Sequence, residues 1–373
     1  MIKIYEPNIE QYKLSALDAI NSSWISNHGI YIQKATNKMM EVLNIPYVIL
    51  MSNGTCATHC LFIALKFAFP NVHKIYVPGN CYVAAWNALL MEYSKNNISV
   101  IPMSLETWNM DIIQDIDLLD KNSAVLIVHN LGNIINVPKL KKLRPDLIFV
   151  EDNCEGIFGK YNDMYSGCST DSLCSSLSFY GNKTITTGEG GAFLTTNEDV
   201  YEYIKLVYSQ GMSETRYLHK LHAFNYRMTN IQAAFLYDQL LDLETILSQK
   251  RNLFLKYEQL LEPLLKLKRV ALMKKEDYTT NACWIFGVRI VNNPFSIKET
   301  NDFFTSENVE IRPFFYPIND HQHLSDIQYD DSNSKKLNKE IIMIPSSPNI
   351  SILKQQKVVA VISKFVSQIE FNF

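Results

Sequence analysis

Short apolar runs alternate with amphipathic stretches along the first two thirds of the chain. The runs over 47–51, 74–77, 98–102, 123–129 and 147–151 are almost continuously apolar. Runs of this kind are typical of strands that are buried on both faces of a sheet. Because helical periodicity fills most of the intervals between them, the pattern predicts an α/β fold with a mostly parallel central sheet flanked by helices.

A long helix is predicted over about 230–261, where apolar residues recur at spacings of three and four. Beyond it, two apolar runs and a final amphipathic stretch are typical of a small α+β domain. We therefore predict a large domain over 1–245 and a smaller C-terminal domain over 246–373, divided within the long helix. The later elements are predicted at 284–291, 309–315 and 352–369, with a polar link at 325–336.

Polar segments follow several of the predicted strands at the point where each strand ends. They are 52–55, 80–82, 129–132, Asp152 and Lys183. In a parallel sheet the carboxyl ends of the strands meet at one edge, and ligands bind in the crevice there. The sequence therefore predicts that these segments converge on one cleft.

Lys183 lies in a tight connection between two extended segments. A β-prone run over 176–180 precedes it, and an apolar run over 192–194 follows a Thr/Gly turn. Gly188 and its neighbours allow such a turn to bend sharply or to approach a bound group. A lysine in a partly dry cleft loses its proton more readily and becomes a nucleophile toward an aldehyde. The pattern favours a catalytic lysine over the alternative, a solvated surface cation.

The first apolar strand is followed by Ser-Asn-Gly-Thr at 52–55 and then by a predicted helix over 56–67. A strand, a glycine-containing turn and a helix start present backbone N–H groups to an anion. This stretch is therefore a predicted anion site.

The bulk composition limits the classes of partner. The 373 residues are 47% hydrophobic and 20% charged, with a formal charge of -3. No basic cluster is long enough for a nucleic-acid groove or an anionic membrane surface, and no apolar run is long enough to span a bilayer, so we expect neither partner. The seven cysteines are scattered without a Cys-x-x-Cys pair, which favours a reduced, cytoplasmic location.

Two histidine pairs have spacings that could hold a metal, His219 with His222 and His321 with His323. No cysteine or carboxylate pattern accompanies either pair. We therefore expect no metal site.

A series of short motifs runs in order from one end of the chain to the other. In this order they resemble the blocks of the DegT/DnrJ/EryC1/StrS family of sugar aminotransferases, which are fold-type I enzymes dependent on pyridoxal 5'-phosphate. The first and last motifs look most like perosamine and viosamine synthases, which aminate C4 of a nucleotide-linked 4-keto-6-deoxy sugar. The motifs are Trp24-Ile25-Ser26, Ser52-Asn53-Gly54-Thr55, Glu151-Asp152, Ser178-Phe179 with Lys183, Thr-Gly-Glu-Gly-Gly at 187–191, Asn225-Tyr226-Arg227-Met228 and Arg-Pro-Phe-Phe-Tyr-Pro at 312–317.

The resemblance implies pyridoxal 5'-phosphate as the cofactor and implies catalytic roles for two residues. Lys183 would hold the cofactor as an internal aldimine and, once released, would carry the proton during amine transfer. Asp152 would keep the pyridine nitrogen charged, and that charge makes the ring an electron sink. The alternative role for Asp152 is a turn or helix cap.

The resemblance also implies how the cofactor phosphate is bound. Gly54, Thr55, Cys56 and Ser178 would supply donors from the same chain. Asn225 matches an asparagine that reaches the phosphate from the neighbouring subunit, which implies a homodimer with shared active sites. The alternative for Asn225 is an ordinary loop residue.

Four further positions follow from the same resemblance. Tyr82 would stack on the pyridine ring, although an aromatic packed on the next helix is the alternative. Glu155 would lie near the 3-hydroxyl of the cofactor. Arg312 and Tyr316 are the positions that we expect to contact the sugar nucleotide.

The expected activity is amination of a GDP- or UDP-linked 4-keto-6-deoxyhexose to the 4-amino-4,6-dideoxy sugar, with L-glutamate as donor. Amination at C3 is one alternative within the family. A keto-sugar 3-dehydratase is another, although such enzymes carry histidine at the position of Lys183. A non-catalytic, cofactor-binding regulator is the remaining alternative, but the chain has no basic helix-turn-helix segment beside the predicted enzyme domain.

Overall fold

The computed structural model describes residues 1–369. Its fourteen strands belong to three sheets, of seven, four and three strands. In chain order they are β1 (Tyr47–Met51), β2 (Ile75–Pro78), β3 (Ile98–Ile101), β4 (Ala124–Val128), β5 (Ile148–Asp152), β6 (Lys160–Tyr161), β7 (Met164–Tyr165), β8 (Ser172–Ser178), β9 (Gly191–Thr195), β10 (Val270–Ala271), β11 (Thr279–Thr280), β12 (Gly287–Ile290), β13 (Arg312–Pro313) and β14 (Ile341–Met343).

Twelve α-helices lie within the same residues, and apolar faces of the longer ones pack on the sheets. None of the helices in this part of the chain is long and apolar enough to cross a membrane. They are α1 (Leu14–Asn21), α2 (Ile30–Leu43), α3 (Gly54–Ala68), α4 (Ala84–Leu90), α5 (Ile112–Asp115), α6 (Val137–Leu143), α7 (Glu198–Val207), α8 (Asn230–Leu241), α9 (Leu243–Lys266), α10 (Ile297–Ser306), α11 (Ser332–Glu340) and α12 (Ile352–Val366).

The seven-stranded sheet confirms the predicted α/β class. Its order is β1-β9-β8-β5-β4-β2-β3, and only β9 runs antiparallel to its neighbours. The pairs from β8 to β3 are all parallel. Because β1 and β8 both run opposite to β9, six strands share one direction and end at the same edge. The strand-end segments therefore lie at the same edge of the sheet, and their convergence on one cleft stays a prediction.

The helix predicted over 230–261 is in fact two helices, so that prediction is wrong. Helix α8 ends at Leu241 and α9 begins at Leu243. Between them, Asp242 has φ -108° and ψ 20°, outside the helical region. Aspartate is a poor residue for a helix interior, and its carboxylate here accepts a hydrogen bond from the Tyr12 hydroxyl (2.8 Å). This contact ties the break to the N-terminal segment.

A four-stranded antiparallel sheet in the order β10-β12-β14-β13 forms the centre of the C-terminal part. Its core includes residues from the later half of α9 and from α12. The predicted elements at 284–291 and 309–315 contain only the short strands β12 and β13, and part of the predicted polar link is the helix α11. Ile2 bridges to Val309, so the first residues of the chain join this C-terminal part. The division into domains at residue 245 falls inside α9 and stays a prediction.

Candidate active site

Lys183 lies in the connection between β8 and β9, at the edge where the parallel strands end. Its backbone N–H donates to the carbonyl of Tyr180 (2.9 Å), and its own carbonyl accepts from the Tyr5 hydroxyl (2.8 Å). The turn closes where Tyr180 bridges to Gly188, whose φ of +83° favours glycine. Lys183 is only 9% exposed, so the surface-cation alternative is wrong.

The Lys183 amine rests on an aromatic face. Its Nζ is 3.8 Å from the centroid of the Trp284 ring, and Trp284 is itself buried. The indole N–H donates to the carbonyl of Asn182 (2.8 Å). The side chain of Lys183 therefore points inward to a defined place instead of extending into water.

Two buried carboxylates accompany this lysine. Asp152 is the last residue of β5, and its Oδ1 accepts from the backbone N–H of Cys154 (3.0 Å). Glu155 accepts from the backbone N–H of Leu131 (2.9 Å). Burial raises the pKa of Glu155 to about 7; the charge of Lys183 opposes this rise and the charge of Asp152 adds to it. Lys183, Asp152 and Glu155 are therefore near enough for their charges to interact.

The predicted anion site lies at the beginning of α3, and its role in binding stays a prediction. The Asn53 side chain caps the helix by accepting from the backbone N–H of Cys56 (2.9 Å). The first N–H groups of an α-helix have no partner within the helix. Gly54 packs so closely that a Cβ there would lie 2.7 Å from Cβ of Ser178. The backbone at this helix start can therefore come close to a ligand beside the Ser178 hydroxyl.

A buried polar network lies next to Asp152. His129 Nδ1 accepts from the backbone N–H of Ile135 (3.1 Å), so Nε2 carries the proton and donates to Glu151 (2.9 Å). The Glu151 carboxylate also accepts from the backbone N–H of Gly167 (3.1 Å) and from the Ser172 hydroxyl. The network fixes the end of β5, which carries Asp152.

The remaining predicted positions lie at or near the surface. Tyr82 is 61% exposed and meets the Phe315 ring edge to face, with centroids 6.3 Å apart. Tyr316 is exposed on the segment where Pro317 bridges to Asn80, close in sequence to Tyr82. The structure therefore brings Tyr316 to the loop that follows β2. The roles of both tyrosines stay predictions.

Arg312 and Asn225 are also exposed. Arg312 lies on β13 at the edge of the second sheet, with its guanidinium 3.6 Å from Glu310. The side-chain oxygen of Asn225 accepts from Arg227 Nε (2.9 Å). Neither contact shows a role toward a ligand, so both roles stay predictions.

Sequence reasoning missed Trp284 and Lys250. Trp284 was only part of a predicted strand, and no spacing linked it to Lys183. Lys250 is fully buried and donates to the carbonyls of Trp284 (2.6 Å) and Ser346 (2.7 Å). A signal for Lys250 was present, because it occupies the apolar stripe of α9, three residues after Leu247 and three before Leu253.

The donor set fits pyridoxal 5'-phosphate. A buried amine can hold the aldehyde, a buried carboxylate can face the ring nitrogen, and a capped helix start can bind the phosphate. Lys183, Asp152 and the backbone at Gly54 are the groups of this structure that match those needs. Gly54 packs directly against Ser178, so the start of α3 and the Ser178 hydroxyl are side by side.

Comparisons with known proteins agree with this site. The sequence model of the DegT/DnrJ/EryC1/StrS aminotransferase family matches residues 8–363. The GDP-perosamine synthase of Escherichia coli O157:H7 is 30% identical over 356 residues, which cover 94% of this chain and 94% of that protein. The GDP-perosamine synthase of Vibrio cholerae is 30% identical over 336 residues, covering 87% and 89%.

A solved structure shows the same fold. It is a mutant GDP-4-keto-6-deoxymannose-3-dehydratase with bound GDP-perosamine. Its TM-score is 0.85 at 18% identity, and the match covers 98% of this chain and 100% of that one.

Proposed function

Because the chain belongs to the DegT/DnrJ/EryC1/StrS aminotransferase family and is a pyridoxal-phosphate-dependent sugar aminotransferase, we propose that it aminates C4 of a GDP-linked 4-keto-6-deoxyhexose. L-Glutamate would be the amino donor. The similarity to two GDP-perosamine synthases supports the nucleotide and the position of amination. The observation that carries the proposal is the buried Lys183 amine, in one site with Asp152 and Glu155.

Each catalytic role belongs to a group that the fold holds in place. Pyridoxal phosphate, when bound, supplies the electron sink and carries the amino group between donor and acceptor. Lys183 would hold the cofactor and, when free, would move a proton between the donor carbon and the C4′ carbon of the cofactor. In the second half-reaction it would move a proton between that C4′ carbon and C4 of the sugar. Asp152, oriented by the N–H of Cys154, would keep the ring nitrogen protonated.

The residues that would bind the cofactor lie at the same edge of the sheet. The start of α3, with Gly54, Thr55 and Cys56, would bind the phosphate together with the Ser178 hydroxyl. Glu155, whose pKa is about 7, can exchange a proton with a neighbouring hydroxyl near neutral pH. Tyr82 would cover one face of the ring.

We also propose that the protein acts as a homodimer in the cytoplasm. Apolar side chains of the first thirty residues are exposed in the single chain, which favours coverage by a second copy. The exposed Asn225 amide would then reach the phosphate of the neighbouring subunit. All seven cysteines are free thiols, as expected in a reduced compartment. The exposed apolar residues are Ile9, Leu14, Leu17, Ile20, Trp24, Ile25 and Ile30.

The test follows the two half-reactions by absorbance of the bound cofactor. L-Glutamate should convert the lysine-bound form to the aminated form. GDP- and UDP-linked 4-keto-6-deoxyhexoses are then offered separately, and the products are analysed by mass spectrometry and NMR. We expect the GDP sugar to restore the first spectrum and to leave with an amine at C4. An amine at C3, loss of the C3 hydroxyl, or turnover of the UDP sugar alone would contradict the proposal.

A further inference from the structure

The Trp284 ring and the Lys183 amine form a buried cation–π pair. The Nζ-to-centroid distance of 3.8 Å is well inside the range in which an ammonium is attracted to the face of an indole. Both residues are buried, and such pairs are strongest when they are removed from water. The Lys183 amine is therefore held against the face of the indole ring.

Trp284 is held at two points, one on its side chain and one on its backbone. The indole N–H donates to the carbonyl of Asn182, the residue before Lys183 (2.8 Å). The Trp284 carbonyl accepts from the buried Lys250 amine (2.6 Å). An indole fixed through both its side chain and its backbone cannot turn away from the lysine without losing a buried hydrogen bond.

The backbone of Lys183 is fixed by the same group of residues. Its carbonyl accepts from the Tyr5 hydroxyl (2.8 Å), and the Tyr5 ring lies 5.5 Å from the Lys250 amine. Tyr5, Lys183, Trp284 and Lys250 thus make a closed ring of contacts.

We propose that Trp284 is a positioning residue for Lys183, and that its indole face is the docking platform for the Lys183 amine. A lysine side chain is long and flexible, and docking it would keep the amine beside the reacting atoms while it carries a proton. A ring with a weaker negative face would bind the Lys183 amine less tightly and leave it more accessible to a reagent. This inference rests on the proposed role of Lys183 in amine transfer.

The experiment changes the charge of the ring face without changing its size. Full-length protein is produced with tryptophan or with tryptophans that carry increasing numbers of fluorine atoms, and the cofactor is removed with hydroxylamine. Lys183 is then acetylated with acetic anhydride at a fixed pH, and its rate is measured by mass spectrometry against the exposed Lys336 of the same chain. We expect the relative rate of Lys183 to rise stepwise with fluorination, by about threefold to tenfold in total.

Two variants separate Trp284 from the other tryptophans. In Trp284→Phe, the stepwise dependence on fluorination should disappear. The stepwise dependence should remain in Trp86→Phe. That variant makes the same change in a buried tryptophan of α4 that packs near His321. A dependence that persists in Trp284→Phe, or no dependence in the unsubstituted chain, would overturn the inference.

This measurement is independent of the sugar substrate. If the enzyme fails to aminate the GDP sugar while the fluorine dependence is found, the proposed function fails and the docking platform stands. If amination succeeds and the fluorine dependence is absent, the proposed function stands and the inference about Trp284 fails.

Discussion

Replacing Lys250 with methionine should change how the stability of the protein depends on pH. Lys250 is fully buried, and its two hydrogen-bond partners are neutral backbone carbonyls, those of Trp284 and Ser346. Burial lowers its pKa from 10.5 to about 7. The folded protein therefore releases this proton near neutral pH, whereas the unfolded chain keeps it until about pH 10.

Proton linkage gives the sign and size of the change in the free energy of unfolding with pH. A lysine whose folded-state pKa is lowered contributes stability that is complete above the unfolded-state pKa and is lost as the pH falls through 7. Between pH 7 and pH 9 the unfolded state binds about one proton more than the folded state. Each pH unit is then worth about 1.4 kcal/mol, or about 3 kcal/mol over the two units.

The assay is urea unfolding of the cofactor-loaded protein at pH 6, 7, 8 and 9, followed by fluorescence. The stability difference between the unsubstituted chain and Lys250→Met should grow by about 3 kcal/mol from pH 6 to pH 9. Glu155 also titrates near pH 7, but it is present in both proteins and cancels in the difference.

The control is Lys256→Met on the same helix, because Lys256 donates to Gln259 at the surface. The stability difference between the unsubstituted chain and Lys256→Met should stay constant with pH. A constant difference for Lys250→Met as well would refute the view that Lys250 is uncharged in the folded protein above neutral pH.

Three other substitutions test the site. Glu155→Gln should remove the pH dependence of amine transfer near pH 7, because the group with a pKa of about 7 can no longer ionise; a retained transition in the rate profile would contradict this role. Gly54→Val should weaken pyridoxal phosphate binding about tenfold or more, measured by equilibrium dialysis, because its Cβ would lie 2.7 Å from Cβ of Ser178. Glu151→Ala should lower the free energy of unfolding by about 3–5 kcal/mol in urea, because buried partners such as His129 lose their acceptor; the exposed Glu202→Ala should change it little.

Much of the central sheet could be predicted, because local sequence specifies it. Strand β1 has the predicted bounds, 47–51. Helix α2 ends where Asn44 takes a left-handed conformation (φ 50°), a common role for asparagine. Continuous apolar runs have few alternatives to a buried strand, so the strand ends that carry the site were also predictable.

The break at Asp242 was harder to predict. The apolar spacing continues across it, and the reason for the break includes a hydrogen bond from Tyr12, far away in the sequence. The contact between Lys183 and Trp284 could not be predicted for the same reason. Trp284 meets Lys183, and Lys250 meets Ser346, only after the chain has folded. Pairs brought together by tertiary contacts leave no periodic signal in one sequence.

The central claim is that Lys183 is the lysine that carries the cofactor, and trapping the covalent bond tests it most directly. The enzyme loaded with pyridoxal phosphate is reduced with borohydride and digested, and the modified lysine is identified by mass spectrometry. We predict that the cofactor is found on Lys183 and that Lys183→Ala abolishes both the trapping and the absorbance of the lysine-bound form. Lys250 is the rival, since burial lowers its pKa to about 7, but it is enclosed by two carbonyls. Cofactor trapped on Lys250, or on no lysine, would contradict the account.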